Sequence, residues 1–454
     1  MAAELVTAGI TGPLPLALPS ATLSTTPPAP PLRTTRERHG PYAALRARNF
    51  RLFMAGRFLG SLGDQMLSVA VGWELYLRTN SALALGLVGL VQVAPVVLLS
   101  LPAGSIADRV RRQRVIVAAQ TLSLAGVLGL ATLSLLDGPL TAFYACLLVI
   151  GIGSAFRTPA SSALLSQTVP SAMYANAATW SSSSLQLAAV LGPTLGGLVI
   201  ALTHSSTPVY VLDAVAGLTL ALTIGRIRTE RVVRPPSVSR LRALGEGITF
   251  VARTRVVLGA ITLDMFGVLL GGATTLLPIY ARDILRVGPE GLGWLAAAPS
   301  VGAILMAVTL AHLPPFKRAG AVLLVAVVGF GVATIVFGLS TSFPLSLAML
   351  ALLGAFDNIS MVIRHTLLLV RTPDELRGRV SAVNNVFIGA SNQLGGFESG
   401  VAAALFTPVI AVVGGGAGTI LIVLMIALGF PELRRFGRLT DIEAERGTAS
   451  VQQA

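Results

Sequence analysis

One feature recurs along the whole chain: an apolar run of about 20 residues, long enough as a helix to cross roughly 30 Å of hydrocarbon. Within that hydrocarbon no water satisfies the backbone N–H and C=O groups, so each run must be helical. The runs lie near 50–77, 82–104, 114–136, 140–164, 177–203 and 208–226. A second group follows near 255–281, 290–312, 319–340, 344–366, 379–405 and 408–430. Charged residues make up 12% of the chain, about half the share of a soluble domain. That is too little charge to cover a water-facing surface, which excludes a soluble enzyme. The sequence predicts an all-α membrane protein with 12 transmembrane helices.

The net charge of +13 would point to nucleic acid in a soluble protein. Here the arginines sit in alternate loops instead. One set flanks the N-terminus (Arg46, Arg48, Arg51), follows the second span (Arg109, Arg111, Arg112, Arg114) and follows the sixth (Arg226, Arg228, Arg231). The opposite loops hold only Arg78, Arg282 and Arg286. Basic loops stay on the cytoplasmic side, so both termini are expected to be cytoplasmic, with a bilayer rather than nucleic acid as the partner. Residues 1–47, rich in Ala, Pro, Thr and Ser, read as a disordered cytoplasmic tail without a signal-peptide pattern. The basic stretch 228–254 reads as a linker dividing helices six and six, into bundles 48–227 and 255–430, and 431–454 as a cytoplasmic tail. A shift of 203 residues places Pro170 on Pro373, Leu165 on Leu368 and Gly192 on Gly395. Such matches mark two related halves, a recurring plan of secondary transporters.

Charge inside a span costs at least ~2.5–3.5 kcal/mol, so each such residue needs a reason. The first span holds Arg57, Asp64, Gln65 and Glu74, the second Gln92, the fourth Tyr144 and Arg157. The seventh holds Asp264, the tenth Asp357 and Asn358, and the eleventh Asn384, Asn385, Asn392, Gln393 and Glu398. The eleventh helix's stripe reads mainly as bonding to neighbouring helices. Helices 1, 4, 7 and 10 are expected to face the cavity and helices 3, 9 and 12 lipid. Asp64 has two readings: a carboxylate paired with Arg57 on the same helix face, or a proton carrier. Asp264 and Asp357 are the further proton-coupling candidates. Arg157 is expected to pair with Asp108 near the cytoplasmic end, and Glu74 and Asp213 to sit at the outer interface. The cavity-lining candidates are Arg57, Gln65, Gln92, Tyr144, Asn358, Asn384 and Asn392, interleaved with Phe, Met and Trp. The single Cys146 and four scattered histidines give neither a metal site nor a catalytic cluster. No G-x-x-x-x-G-K-[ST] segment is present, so ATP is not the expected energy source and no cofactor is expected.

Two motifs carry a resemblance. Between spans 2 and 3 lies Gly104-Ser-Ile-Ala-Asp108-Arg109-Val-Arg-Arg112, similar to the loop motif G-x-x-x-D-R-x-G-R-R of the major facilitator superfamily. Span 5 contains Leu191-Gly192-Pro193-Thr-Leu-Gly196-Gly197, similar to the G-P-x-x-G-G antiporter motif of its exporters. The stretches RNFRLFMAGRFLGSLGDQM, AFRTPASSALL and TPDELRGRVSAVNN resemble its branch of bacterial siderophore and macrolide exporters, over roughly 48–430. The resemblance implies the major facilitator fold, two pseudo-symmetric six-helix bundles rocking around a central cavity. It implies export of amphipathic or anionic small molecules by proton antiport from the bacterial cytoplasmic membrane, by a monomer. Gly104, Asp108, Arg109, Arg112 and Arg157 would then form a cytoplasmic latch. Import by proton symport on the same fold is the alternative. A membrane enzyme lacks the clustered nucleophile and base it would need.

Overall fold

A computed structural model describes residues 40, 42–228, 240–314, 316–373, 375–434 and 436–437. Six long helices come first: α1 (Arg48–Thr79), α2 (Ala82–Arg109), α3 (Arg112–Leu135), α4 (Leu140–Thr168), α5 (Tyr174–Thr203) and α6 (Thr207–Gly225). A shorter helix, α7 (Arg240–Arg253), precedes the second series. The next span is broken. It runs as α8 (Arg255–Leu270), a 3-10 turn at Ala273–Leu276, the single turn α9 (Leu277–Ile279) and a π-helical turn at Tyr280–Ile284. Then come α10 (Gly288–His312), α11 (Ala319–Leu339), α12 (Phe343–Arg371), α13 (Arg377–Leu405) and α14 (Pro408–Gly429).

Among the described residues, ten spans are long and apolar enough to cross a bilayer. The two further long helices, α1 and α13, are less apolar because each concentrates charged and amide groups, Arg57, Asp64, Gln65 and Glu74 in the first and Asn384, Asn385, Asn392, Gln393 and Glu398 in the second. Helix ends follow local chemistry. The Ser81 hydroxyl accepts from Ala84 N–H at 3.4 Å to open α2, and Asn80 closes α1 in the left-handed region at φ 47°.

Helices α1–α6 pack among themselves, α1 on α5 and α6, and α4 on α2 and α3. Helices α8–α14 do likewise, α11 on α12 and α14, and α8 on α13 and α14. The two most extensive contacts between these sets are α2 with α13 and α5 with α10. The apolar cores show how the sets are joined. At the end opposite the termini one core is continuous across both, from Leu75, Leu130 and Tyr210 to Tyr280, Leu295 and Phe337. At the end bearing the termini there are two separate cores. One surrounds Phe50, Phe53, Ile116 and Leu164, and the other Leu263, Leu323, Ile363 and Leu367.

The expected tails lie mostly outside the described residues. What is described is folded, because apolar side chains there find the two terminal cores. Ala44–Arg46 forms a 3-10 turn with Ala44 fully buried, its N–H donating to Asn176 Oδ1 at 3.1 Å. Leu433 and Phe436 are buried in the second core.

Candidate functional site

Between the two helix sets lies a cavity of about 590 Å³. Asp64, Gln65 and Ser68 of α1, Gln92 of α2, and Ser154 and Arg157 of α4 line one side. Thr274 and Thr275 of the 3-10 turn, Leu292 of α10, and Gly389 and Gln393 of α13 line the other. Helical periodicity explains the α4 stripe: Ile150, Ser154 and Arg157 recur on one face. On other faces Gly151 meets α2 at Gln92 and Pro95, and Gly153 meets α3 at Ala119 and Ser123. Helices α2, α10 and α13 thus contribute walls beside α1, α4 and the turns that follow α8, whereas α12, the tenth span and an expected wall, contributes none among the described residues. Among the described residues no aromatic side chain and no methionine lines this cavity, contrary to expectation; its apolar surface is Val, Leu and Ile with Pro278 and Ala296.

The charge on the wall is an ion pair. Arg157 Nη2 donates to Asp64 Oδ2 at 2.8 Å, with 40% of the Asp64 side chain and 19% of the Arg157 side chain exposed. The pairing of Asp64 with Arg57 is corrected by this geometry. Arg57, seven residues before Asp64, turns over the Phe53 ring, 5.7 Å from its centroid, and stays out of the cavity. Arg157 meets Asp64, while its expected partner Asp108 has a side chain outside the described residues. Asp213, expected at the outer interface, is buried (6% exposed) with its carboxylate against Gly63, so it stands behind the pair. Arg157 is within electrostatic reach of both acids.

A second pair joins Arg364 of α12 to Asp264 of α8, each side chain only 8% exposed. Asp357 shares with Asp264 a small pocket walled by Leu263, Phe330 and Phe356. The remaining candidates scatter. Gln65 and Gln92 reach the cavity. The Tyr144 hydroxyl donates to the Ala84 carbonyl at 2.9 Å and ties α4 to α2 instead. Asn358 is buried in the packing of α12, and Asn384 lines a separate pocket with His365 and Arg377. Asn392 is exposed away from the cavity, while its neighbour Gln393 lines it. A one-residue step turns a helix by about 100°, so the polar stripe of α13 did not identify which amide faces inward.

The glycine motif of α5 occupies the contact between sets. A Cβ on Gly192 would lie 2.5 Å from Gln65 Cβ, and one on Gly196 3.1 Å from Met66 Cα, so α5 packs flush on α1 beside Asp64. Gly197 instead faces α10: a Cβ there would lie 2.4 Å from the Pro289 carbonyl oxygen. Pro193 leaves its own carbonyl close to Gly293, where a Cβ would lie 2.6 Å away. Gly86 of α2 and Gly400 of α13 make the matching approach on the other side. Nearby, the Tyr76 hydroxyl donates to Asp283 Oδ2, Arg282 donates to Asn80, and the Arg282 guanidinium lies 5.5 Å from the Tyr76 ring centroid. This clasp joins α1 to the π-helical turn at the end opposite the termini. Glu74, also expected at the interface, is buried at 6% exposure, where it accepts from Tyr210 at 2.7 Å and Ser134 at 3.1 Å and pairs with Arg78 at 2.6 Å. In the other motif, Arg112 Nη1 donates to the Ala163 carbonyl at 2.7 Å, bracing α3 on α4, and Arg109 is exposed beyond Gly104 at the end of α2. Among the described residues no group of acids, histidines and cysteines is placed to hold a metal.

Among the described residues, twelve long helices in two sets meet around a charged central cavity, the arrangement of a secondary transporter of the major facilitator fold. Residues 39–445 match the family described as transmembrane secretion effector, and the chain belongs to that family, a branch of the major facilitator superfamily made up of membrane transporters. It is 27% identical over 397 residues to the enterobactin exporter EntS of Escherichia coli O1:K1 / APEC, covering 85% of this chain and 93% of that one. The fold is similar to that of the nucleoside transporter NupG, with TM-score 0.67 at 12% identity over 84% of this chain and 100% of that one. A bacterial homologue of the lysosomal transporter Spinster, inward-facing and unoccupied, superposes with TM-score 0.62 at 15% identity over 86% and 96% of the two chains.

Proposed function

We propose that this protein is a proton-driven exporter of the bacterial cytoplasmic membrane, both termini cytoplasmic, acting as a monomer on small amphipathic molecules such as drug-like compounds or siderophores. The observation that carries the reading is the Asp64–Arg157 ion pair, set in the wall of a cavity that both helix sets enclose. A carboxylate in that position gives up its charge on binding a proton. Its hold on Arg157 and on any cargo that uses it then weakens together. Proton and cargo thus favour different members of a pre-existing pair of conformations, as such coupling requires. The continuous core and the Tyr76–Asp283 clasp close the outer end, so this conformation offers the cavity to the cytoplasm. Helix α5 is suited to relay the state of the cavity, because Gly192 rests on Gln65 while Gly197, little more than a turn further, rests on α10. The motif from Gly104 to Arg112, with Arg157 above it, would brace the cytoplasmic side in the opposite state. The similarity to an enterobactin exporter supports the outward direction and cargo of the siderophore class.

The test is transport in inverted membrane vesicles with an imposed pH gradient. Asp64→Asn is expected to abolish gradient-driven accumulation while leaving the protein folded and inserted. Accumulation that keeps its dependence on the gradient in Asp64→Asn shows that another group couples. Gradient-driven uptake confined to right-side-out vesicles would favour import.

A further inference from the structure

We propose that the cargo bound in this cavity is an aliphatic amine carrying several amide or hydroxyl groups, its ammonium seated on Asp64; the inference rests on reading the cavity as the cargo site. Two observations lead there. The first is which end of the ion pair faces the cavity. Asp64 is exposed to 40% and Arg157 to 19%, and the guanidinium is turned onto Asp64 Oδ2. Asp64 Oδ1 has no hydrogen-bond partner among the described residues. The charges around it are Arg157 from α4, Asp213 buried behind Gly63 from α6, and Arg57, held over Phe53 on α1 itself. Of these only Asp64 and Arg157 line the cavity, and Asp64 presents the larger exposed fraction together with the uncommitted Oδ1, so the charged acceptor open to a ligand is anionic. A cation is the matching charge, and a charge-assisted hydrogen bond in a site shielded from water is strong.

The second observation is the uncommitted hydrogen-bonding surface. Gln65, Gln92 and Ser154 on one side, and Gln393, Thr274 and Thr275 on the other, line the cavity with no side-chain partner among the described residues. Polar groups left unpaired at this depth are costly, so water satisfies them when the site is empty and a ligand of matching polarity when it is full. Amides both donate and accept, and so do hydroxyls, which suits them to three glutamines. The described wall carries no aromatic ring on which a flat aromatic cation could stack, and a guest instead packs against Val, Leu and Ile. The cavity volume of about 590 Å³ falls within the range that holds a small organic molecule. Seating an ammonium and a proton on one carboxylate also makes their binding exclusive.

The experiment uses the full chain in lipid nanodiscs with no gradient, reading the shift of the thermal unfolding midpoint. The probes are trialanine amide, which has an amine and no carboxylate, N-acetyltrialanine, which has the reverse, and the flat aromatic cation ethidium. Trialanine amide is expected to stabilise the protein, with half-saturation about tenfold or more weaker in Asp64→Asn and severalfold weaker in Gln393→Leu. Lowering the pH should weaken its binding to the unaltered protein and leave Asp64→Asn unaffected. Tighter binding of N-acetyltrialanine or of ethidium, or no effect of trialanine amide at any soluble concentration, overturns the inference. A chain that binds the amine yet moves nothing on a pH gradient refutes the export reading alone. One that exports on a gradient yet ignores the amine refutes only this assignment.

Discussion

Replacing Gly197 by alanine tests how the two helix sets are held together. A Cβ at this position would lie 2.4 Å from the Pro289 carbonyl oxygen and 3.0 Å from both the Cα and the N of Gly293. All are backbone atoms of α10, which cannot swing aside as a flexible side chain can, so the helices must separate. Overpacking of that kind costs about 1–3 kcal/mol. The cost falls only on the conformation in which α5 and α10 touch, so it shifts the equilibrium toward the other by roughly 5- to 150-fold. Spin labels at Ser171→Cys and Glu375→Cys, both exposed at the end bearing the termini, would report the change as a shorter distance by double electron–electron resonance in a Cys146→Ser background. Gly293→Ala should act in the same direction, and the double variant should fall short of the sum because both crowd one contact. Gly400→Ala, whose Cβ would lie 2.6 Å from Gly86 Cα, should follow. Gly414→Ala, with nothing within 4 Å of its Cβ, is the control. An unchanged distance distribution in Gly197→Ala, with an unchanged unfolding midpoint, would refute the claim that this approach holds the outer end shut.

Tyr76→Phe removes the hydroxyl that bonds Asp283 across the same end and should shift the distance distribution the same way, by about 1.5–3 kcal/mol for a bond to a charged acceptor. Arg364→Ala leaves Asp264 buried and unpaired and should cost about 3–5 kcal/mol of stability, read as a lowered unfolding midpoint in detergent. The pair Asp264→Asn with Arg364→Gln should recover most of that loss, since no charge then remains to be compensated.

The spans were legible because hydrocarbon thickness and helix rise fix the length of an apolar run, whatever the run packs against. The α5 motif was legible for a related reason: only glycine lets two helix backbones touch. Pairing was not legible. Asp64 and Arg157 are 93 residues apart, and whether they meet depends on the depth and rotation of α1 and α4, which span boundaries uncertain by several residues do not set. Glu74 and Asp213 were misplaced for the same reason. Each lies well inside its helix, Glu74 sixth from the end of α1 and Asp213 seventh from the start of α6, where a turn of depth separates an interfacial acid from a buried one.

The internal offset of 203 residues separates the two ion pairs by role. It carries the contact of Gly192 with Gln65 onto that of Gly395 with Val268, α5 on α1 becoming α13 on α8. By the same offset Asp64 falls on Gly267 and Arg157 on Ser360, and neither keeps its charge. The second pair instead uses Asp264, three residues before Gly267, and Arg364, four after Ser360. Helices α8 and α12 run in opposite directions, so both steps lead toward the end bearing the termini, by roughly 5 Å at 1.5 Å per residue. There the pair is sealed beneath Leu263, Ile363 and Leu367, out of reach of cargo, whereas the first pair lies open on the cavity wall. Asp264→Asn should therefore lower the unfolding midpoint and leave the proton dependence of transport in place, and Asp64→Asn should do the reverse. If Asp264→Asn uncouples transport at an unchanged midpoint, the sealed pair is part of the proton path and burial does not divide the two roles.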